Sequence, residues 1–155
     1  MTTVDPSWEY TLHLPRDPRS PGIGRVMLRA ALAARGRDAV ASTAEVVAAE
    51  LLANAQCHTS GPYALSVSSC LPGRVRVGVW DTDPRVPVGF RRGGRVEWVS
   101  GEAEGGRGLA LVRACADGIG GRVLEGSGGE SSRGGKLLWA ECRSTLRGHG
   151  EPSPG

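Results

Sequence analysis

The stretch Ala48–His58 reads AAELLANAQCH and sets three polar side chains four residues apart in an otherwise apolar run. They are Glu50, Asn54 and His58. On a helix, positions i, i+4 and i+8 fall along one stripe, so a carboxylate, an amide and an imidazole point the same way. Burying such groups costs free energy unless something binds them. The pattern predicts a helix that carries either a site for a polar ligand or a solvated polar face.

The residue types in this stripe suit particular chemistry. Glu50 can accept a proton or orient a water molecule, and the carbonyl oxygen of Asn54 suits a hard cation such as Mg²⁺. His58 comes at the end of the helical run, where a cation is favoured by the helix dipole. A simple helix-capping role for His58 is therefore an alternative to a role in ligand binding.

Apolar alternation and helical spacing predict the order of elements on both sides of this stretch. Strands are expected at Trp8–Leu14, Tyr63–Cys70, Arg74–Trp80, Arg122–Glu125 and Lys136–Cys142, and helices at Gly22–Arg35, Ser42–Thr59 and Leu109–Ala116. The second helix is expected to begin at Ser42 because the residues Ser42–Glu45 match a capping box. Strands mixed with helices and a hairpin predict a two-layer α/β sandwich with a mixed sheet.

Three short motifs follow the polar helix in order. The strand Val75–Trp80 runs into Asp81-Thr82-Asp83-Pro84, the run Gly105–Leu109 precedes a helix, and Gly134-Gly135-Lys136 opens the last strand. Glycines before a helix let backbone N–H groups approach phosphates. Each motif also has a plain structural explanation: an Asp-Pro turn after a strand, a loop-to-helix turn, and a solvated charge at a strand end for Lys136.

Taken together and in this order, the motifs resemble the histidine-kinase-like ATPase superfamily (GHKL), and most closely its single-domain anti-sigma factor kinases and actinobacterial ATP-binding regulators. The resemblance covers roughly residues 8–143. It implies the Bergerat ATP-binding fold, which is an α+β two-layer sandwich with a mixed, mainly antiparallel sheet and helices on one face. We therefore expect one ATP-binding domain over residues 1–143 and a flexible tail over residues 144–155.

The resemblance also implies roles for individual residues. Glu50 matches the position proposed as the general base, Asn54 the ligand of Mg²⁺, and His58 a basic residue near the phosphates. Asp81 matches the carboxylate that reads the adenine amine. The remaining nucleotide contacts implied by the family are Asp83, Gly106, Arg107, Gly108, Leu109 and Lys136.

The sequence departs from the family pattern in two places. The family usually has D-x-G-x-G where this chain has Asp81-Thr82-Asp83-Pro84, so both glycines are missing. Asp and Pro lack the freedom of glycine at positive φ. Leu137 stands where related proteins often have a hydroxyl residue after the lysine, which predicts the loss of one polar contact near the nucleotide.

Composition excludes several other classes. The formal net charge of +3 is spread along the chain, and with one Phe and two Tyr a nucleic-acid surface is a poor fit. The four cysteines form no C-x-x-C pair, and no apolar run approaches a membrane span, so a cytoplasmic protein is expected. The resemblance implies ATP and Mg²⁺ as ligands and a sigma factor and an anti-anti-sigma (STAS-type) antagonist as partners, with a homodimer left open. The function that the resemblance implies is a serine/threonine protein kinase that phosphorylates the antagonist and sequesters the sigma factor. The alternative function is a nucleotide-dependent interaction module with little or no turnover.

Overall fold

The structure is a computed structural model, and it describes residues 7–87, 90, 115–124 and 134–143. Within these ranges the elements are β1 (Trp8–Leu14), α1 (Ser20–Ala34), α2 (Asp38–His58), β2 (Tyr63–Ser69), β3 (Arg74–Asp81), β4 (Gly118–Leu124) and β5 (Gly135–Arg143). Neither α1 nor α2 is long and apolar enough to cross a membrane.

The strands form one five-stranded sheet in the order β1-β2-β3-β5-β4. Each neighbouring pair is antiparallel. The described strands therefore contain no parallel pair, and the expected mixed sheet is not observed in this part of the chain. In β1 and β2, the strands that α1 and α2 connect, the chain runs in opposite directions.

Alternation along the strands separates the two faces of the sheet. On β3 the side chains of Val75, Val77 and Val79 are buried, whereas that of Arg76 is exposed. The buried set faces α2, which packs on β3 and β5, while α1 packs on β1 and beside α2. Both helices lie on this inner face and enclose a single core. The predicted two-layer sandwich is confirmed, with its helices on one face.

The second helix begins earlier than predicted. It starts at Asp38, directly after the turn in which Gly36 has φ of 64°, so Ser42 and Glu45 lie inside it. The capping-box prediction is therefore wrong. The Glu45 carboxylate instead accepts a hydrogen bond from Arg29 Nη2 on α1 at 2.7 Å. A capping box is a local pattern, and here the preceding turn already ends one helix and starts the next.

Strand β4 begins at Gly118 and not at Arg122, because its glycines make room for an aromatic ring. A Cβ placed on Gly120 would lie 2.2 Å from a ring carbon of Trp139 on the neighbouring strand β5. Arg76 lies over the same ring, with its guanidinium carbon 5.3 Å from the ring centroid. Glycine is a weak strand former when judged from sequence, which is why periodicity missed this half of the strand.

Candidate functional site

The polar stripe of α2 lies on the side of the helix that faces away from α1. Glu45 marks the α1 side, because it pairs with Arg29 of that helix. At about 100° per residue, Asn54 lies on the opposite side of α2 from Glu45, and Glu50 and His58 lie about 40° to either side of Asn54. Glu50 and Asn54 are half-buried and His58 is exposed. The two residues expected to work on a ligand therefore share one accessible flank beside the core.

A second polar group lies at the end of the central strand β3. The side chain of Asp81, the last residue of β3, is 1% exposed, and that of Lys136 on β5 is 2% exposed. Lys136 Nζ donates to Asp81 Oδ1 at 2.9 Å and to the backbone carbonyl of Asp83 at 3.1 Å. The expectation of a solvated strand-end charge at Lys136 is therefore wrong. The register pairs Asp81 with Lys136 directly, so both side chains point to the inner face of the sheet.

Gly135 makes this pairing possible. Its φ is 139°, a conformation that residues with a side chain rarely adopt, and a Cβ there would lie 2.0 Å from the backbone oxygen of Asp81. The absence of a side chain lets the start of β5 approach the end of β3 closely. Lys136 is the next residue, so its amine arrives beside the Asp81 carboxylate.

The loop after Asp81 is built without the two glycines that the family pattern contains. The backbone N–H of Asp83 donates to Asp81 Oδ1 at 2.9 Å, and that of Arg85 donates to Asp83 Oδ1 at 3.0 Å. These are successive turns closed by aspartate side chains. No residue other than glycine has positive φ in the described part of the chain. The loop up to residue 87 therefore needs no glycine, and the departure from the family pattern leaves its backbone unstrained.

The two aspartates of this loop differ in their electrostatics. Burial raises the pKa of Asp81, and the hydrogen bond and charge of Lys136 and the N–H of Asp83 act against that rise. The pKa of Asp83 is lowered to about 2, first by the side-chain hydrogen bond from Arg85 and then by the Arg85 backbone N–H. Both Asp83 oxygens accept hydrogen bonds from the Arg85 guanidinium. The Asp83 carboxylate is thus already occupied, whereas its carbonyl helps to hold Lys136.

The end of α2 is tied to the end of β3. The hydroxyls of Thr59 and Thr82 share a short hydrogen bond, and the N–H of Gly61 donates to Thr59 Oγ1 at 3.3 Å. Asp81 therefore lies near the His58 end of the polar stripe. Counting residues back from His58 at about 1.5 Å per residue, Asn54 is about 6 Å along the helix and Glu50 about 12 Å. Sequence reasoning missed Thr59 and Thr82, because nothing in the local pattern distinguishes a threonine that joins two elements.

The structure brings some predicted site residues together and leaves others untested. Asp81, Asp83 and Lys136 form one hydrogen-bonded group, and Asn54 and Glu50 follow along the helix. The predicted phosphate contacts Gly106, Arg107, Gly108 and Leu109 lie outside the described residues. Leu137 pairs with Trp80 and so lies on the outer face, away from Asp81. The missing hydroxyl at Leu137 therefore removes nothing from the Asp81 side of the sheet.

Metal binding would depend on few protein ligands. In the residues that the structure describes, no three His, Cys, Asp or Glu side chains lie together as a ready metal cage. Asn54, on the accessible flank of α2, offers one hard oxygen donor of the kind that Mg²⁺ accepts. This donor set fits a Mg²⁺ ion that arrives with phosphate oxygens and water, because such ions need only one or two protein ligands.

A scan against protein-family models finds no matching family for this chain, and a search of curated proteins finds no relative.

Proposed function

We propose that this chain binds an adenine nucleotide with Mg²⁺ in a Bergerat-type site of the GHKL superfamily. One observation carries the proposal: the buried carboxylate of Asp81 lies at the end of β3 that is joined to the C-terminal end of α2, the helix whose flank carries Asn54 and Glu50. The side chains therefore follow one another in one direction: Asp81 for the adenine base, Asn54 for the metal and Glu50 at the far end. An extended nucleoside triphosphate has its base, its phosphates and its terminal phosphoryl group in the same order.

Each residue then has a definite task. The Asp81 carboxylate accepts a hydrogen bond from the exocyclic amine of adenine. The carbonyl oxygen of Asn54 holds the metal, and Mg²⁺ supplies charge neutralisation at the phosphates. Glu50, one turn further along α2, lies on the side of the terminal phosphoryl group. His58 is exposed at the last residue of the helix, where it can add positive charge at the ligand or simply favour the helix dipole.

We further propose that the chain is an anti-sigma factor-type serine/threonine kinase. Its substrate is a Ser or Thr hydroxyl of a STAS-type anti-anti-sigma antagonist, and when it is free of the antagonist it holds a sigma factor. Glu50 takes the hydroxyl proton as the hydroxyl oxygen bonds to the γ-phosphorus, and the bond from that phosphorus to the leaving oxygen of ADP breaks. Positioning and charge neutralisation carry most of such a reaction, so a half-buried helix flank is a suitable place for the base.

A second candidate function is a nucleotide-dependent interaction module without turnover. The observation that favours it is the burial of Asp81, whose Oδ1 already accepts hydrogen bonds from Lys136 and from the Asp83 N–H. A base must enter this closed end of the sheet to reach the carboxylate. A closed site of this kind is suited to retaining a bound nucleotide that controls interactions with other proteins, and less suited to repeated exchange of ATP and ADP.

Nucleotide binding is tested first, by calorimetry of the full chain with ATP and ADP. Asp81→Asn should weaken the binding of adenine nucleotides by about 1–3 kcal/mol, because the amide replaces one of the two acceptor oxygens with an N–H donor. The matched control is Asp38→Asn, the same change at an exposed position in the first turn of α2. Absence of adenine-nucleotide binding by the unmodified chain would overturn the proposal.

Phosphotransfer separates the two functions. With radiolabelled ATP and a purified STAS-type antagonist, Glu50→Gln should keep nucleotide affinity and lose transfer by about 10²–10⁴-fold, the usual effect of removing a general base. Glu45→Gln is the control, since it makes the same change on the opposite side of the same helix. Robust transfer by both variants would exclude Glu50 as the base. No labelled product from the unmodified chain, with binding intact, would favour the interaction module.

A further inference from the structure

The only lysine in the sequence forms an ion pair with one carboxylate inside the protein. Lys136 is 1% exposed, and its amine contacts Asp81 Oδ1 and the Asp83 carbonyl oxygen. Asp81 Oδ1 also accepts the N–H of Asp83, so this oxygen has two donors. Both hydrogen bonds that the Asp81 carboxylate makes with other described residues go to Oδ1 and none to Oδ2. Oδ1 is therefore fixed by two donors, and Oδ2 is the oxygen left to accept a hydrogen bond from a ligand that enters this closed end of the sheet.

We propose that Lys136 is the positioning residue of the adenine-reading carboxylate: it keeps Asp81 ionised inside the protein and holds Oδ1, so that Oδ2 accepts the exocyclic amine of the base. This inference rests on the proposed nucleotide-binding function. Lys136 is not required to touch the nucleotide itself. It acts through Asp81, and Gly135 acts one step further back by admitting the amine to this position.

A buried charge without a partner costs free energy. An isolated carboxylate in an apolar interior lowers its free energy by taking up a proton. A protonated carboxyl would present an O–H donor in place of one acceptor, and the adenine amine needs an acceptor. Burial already raises the pKa of Asp81 in spite of the Lys136 ammonium. Without that ammonium the carboxyl would titrate at a still higher pH, and adenine recognition would fail at a pH where the native chain still binds.

In the described part of the chain, few other charged groups face this carboxylate. From the loop after β3, the Asp83 carboxylate acts against ionisation of Asp81, but it is itself paired with Arg85. From α2, the nearest titratable side chain along the helix is His58, at the end that Thr59 ties to the loop. Each of these groups is retained when only Lys136 is changed. The ratio of the Kd of a Lys136 variant to the Kd of the native chain, taken at each pH, therefore cancels the effect of these groups. It also cancels the titration of the nucleotide phosphates.

The experiment is calorimetric titration with ADP from about pH 5 to about pH 8, in the range where carboxyls with raised pKa values change charge. The native chain is compared with Lys136→Met, Lys136→Gln and Asp81→Asn. For both lysine variants, the ratio of the variant to the native Kd should grow as pH falls, by about tenfold per pH unit below the carboxyl pKa of the variant. For Asp81→Asn, the ratio of the variant to the native Kd should change less with pH, and it should fall as pH falls. The reason is that protonation of Asp81 weakens binding by the native chain in acid, whereas the amide of the variant does not titrate.

Folding of each variant is checked by circular dichroism, and Lys136→Gln, which keeps a hydrogen-bonding side chain, serves where Lys136→Met does not fold. A Kd ratio that stays constant with pH in a folded lysine variant would overturn the inference and leave nucleotide binding intact. Failure of both lysine variants to fold would also overturn it, since Lys136 would then have a purely structural role. Failure of the native chain to bind ADP is a different result, and it would remove the proposed function itself.

Discussion

Replacing Lys136 by Met should lower the free energy of unfolding by about 3–5 kcal/mol at neutral pH, the usual cost of removing one partner from a buried ion pair. The side chains of Lys136 and Asp81 are 2% and 1% exposed, and Nζ lies 2.9 Å from Oδ1. Solvent therefore screens this pair very little. Because domains of this size are stable by about 5–15 kcal/mol, the variant should lose a large part of its stability.

The loss should depend on pH, and its sign follows from the direction of the Asp81 pKa shift. Burial raises the pKa of Asp81 above its unfolded value, and loss of the Lys136 ammonium should raise it further. Between the unfolded and the folded pKa, the folded chain binds the proton more tightly, so the free energy of unfolding falls as pH rises through that window. The Lys136→Met variant should lose most free energy of unfolding at a pH above the folded-state pKa of its Asp81. It should lose least in acid, where Asp81 is neutral.

The assay is urea unfolding followed by tryptophan fluorescence, at neutral and at mildly acidic pH. The control is the double variant Asp81→Asn/Lys136→Met, which removes both charges and should recover most of the lost stability. A loss below about 1 kcal/mol at neutral pH, the size typical of an exposed ion pair, would show that the Lys136–Asp81 pair does not behave as a buried one. So would a loss of equal size at both pH values.

Three further outcomes are expected. Gly135→Ala should lower the free energy of unfolding by at least about 1–3 kcal/mol, because a Cβ would lie 2.0 Å from the Asp81 backbone oxygen on β3 and φ is 139°. The control is Gly134→Ala, where the nearest atom to an added Cβ is 3.8 Å away. Equal melting temperatures of the two variants would contradict this account. Gly120→Ala should cost about 1–3 kcal/mol by displacing a tryptophan ring, whereas Gly118→Ala, with nothing within 4 Å, should cost less in the same thermal melt. Asn54→Ala should leave the fold intact, as seen by circular dichroism, and abolish the effect of Mg²⁺ on ATP affinity; an unchanged Mg²⁺ effect would exclude Asn54 as the ligand.

Local pattern was sufficient for most of the fold. The apolar alternation of Val75, Val77 and Val79 predicted a half-buried strand, because side chains alternate between the two faces of a sheet. The hairpin between β2 and β3 also follows the prediction, with Gly73 at φ of 72° in its turn. The spacing of Glu50 and Asn54 was enough to predict that they share one side of a helix, since the helical period fixes that geometry wherever the helix lies.

Contacts between residues far apart in the sequence determined the features that local sequence patterns did not predict. The contact of Lys136 with Asp81 joins positions 55 residues apart, and it exists because the strand register and the bare backbone of Gly135 bring them together. Sequence alone favoured a solvated lysine, which is the common state of that side chain. The glycine half of β4 was misjudged for the same reason, since the packing of Trp139 outweighed local propensity. The start of α2 was misjudged because the turn at Gly36, and not the capping-box residues, begins the helix.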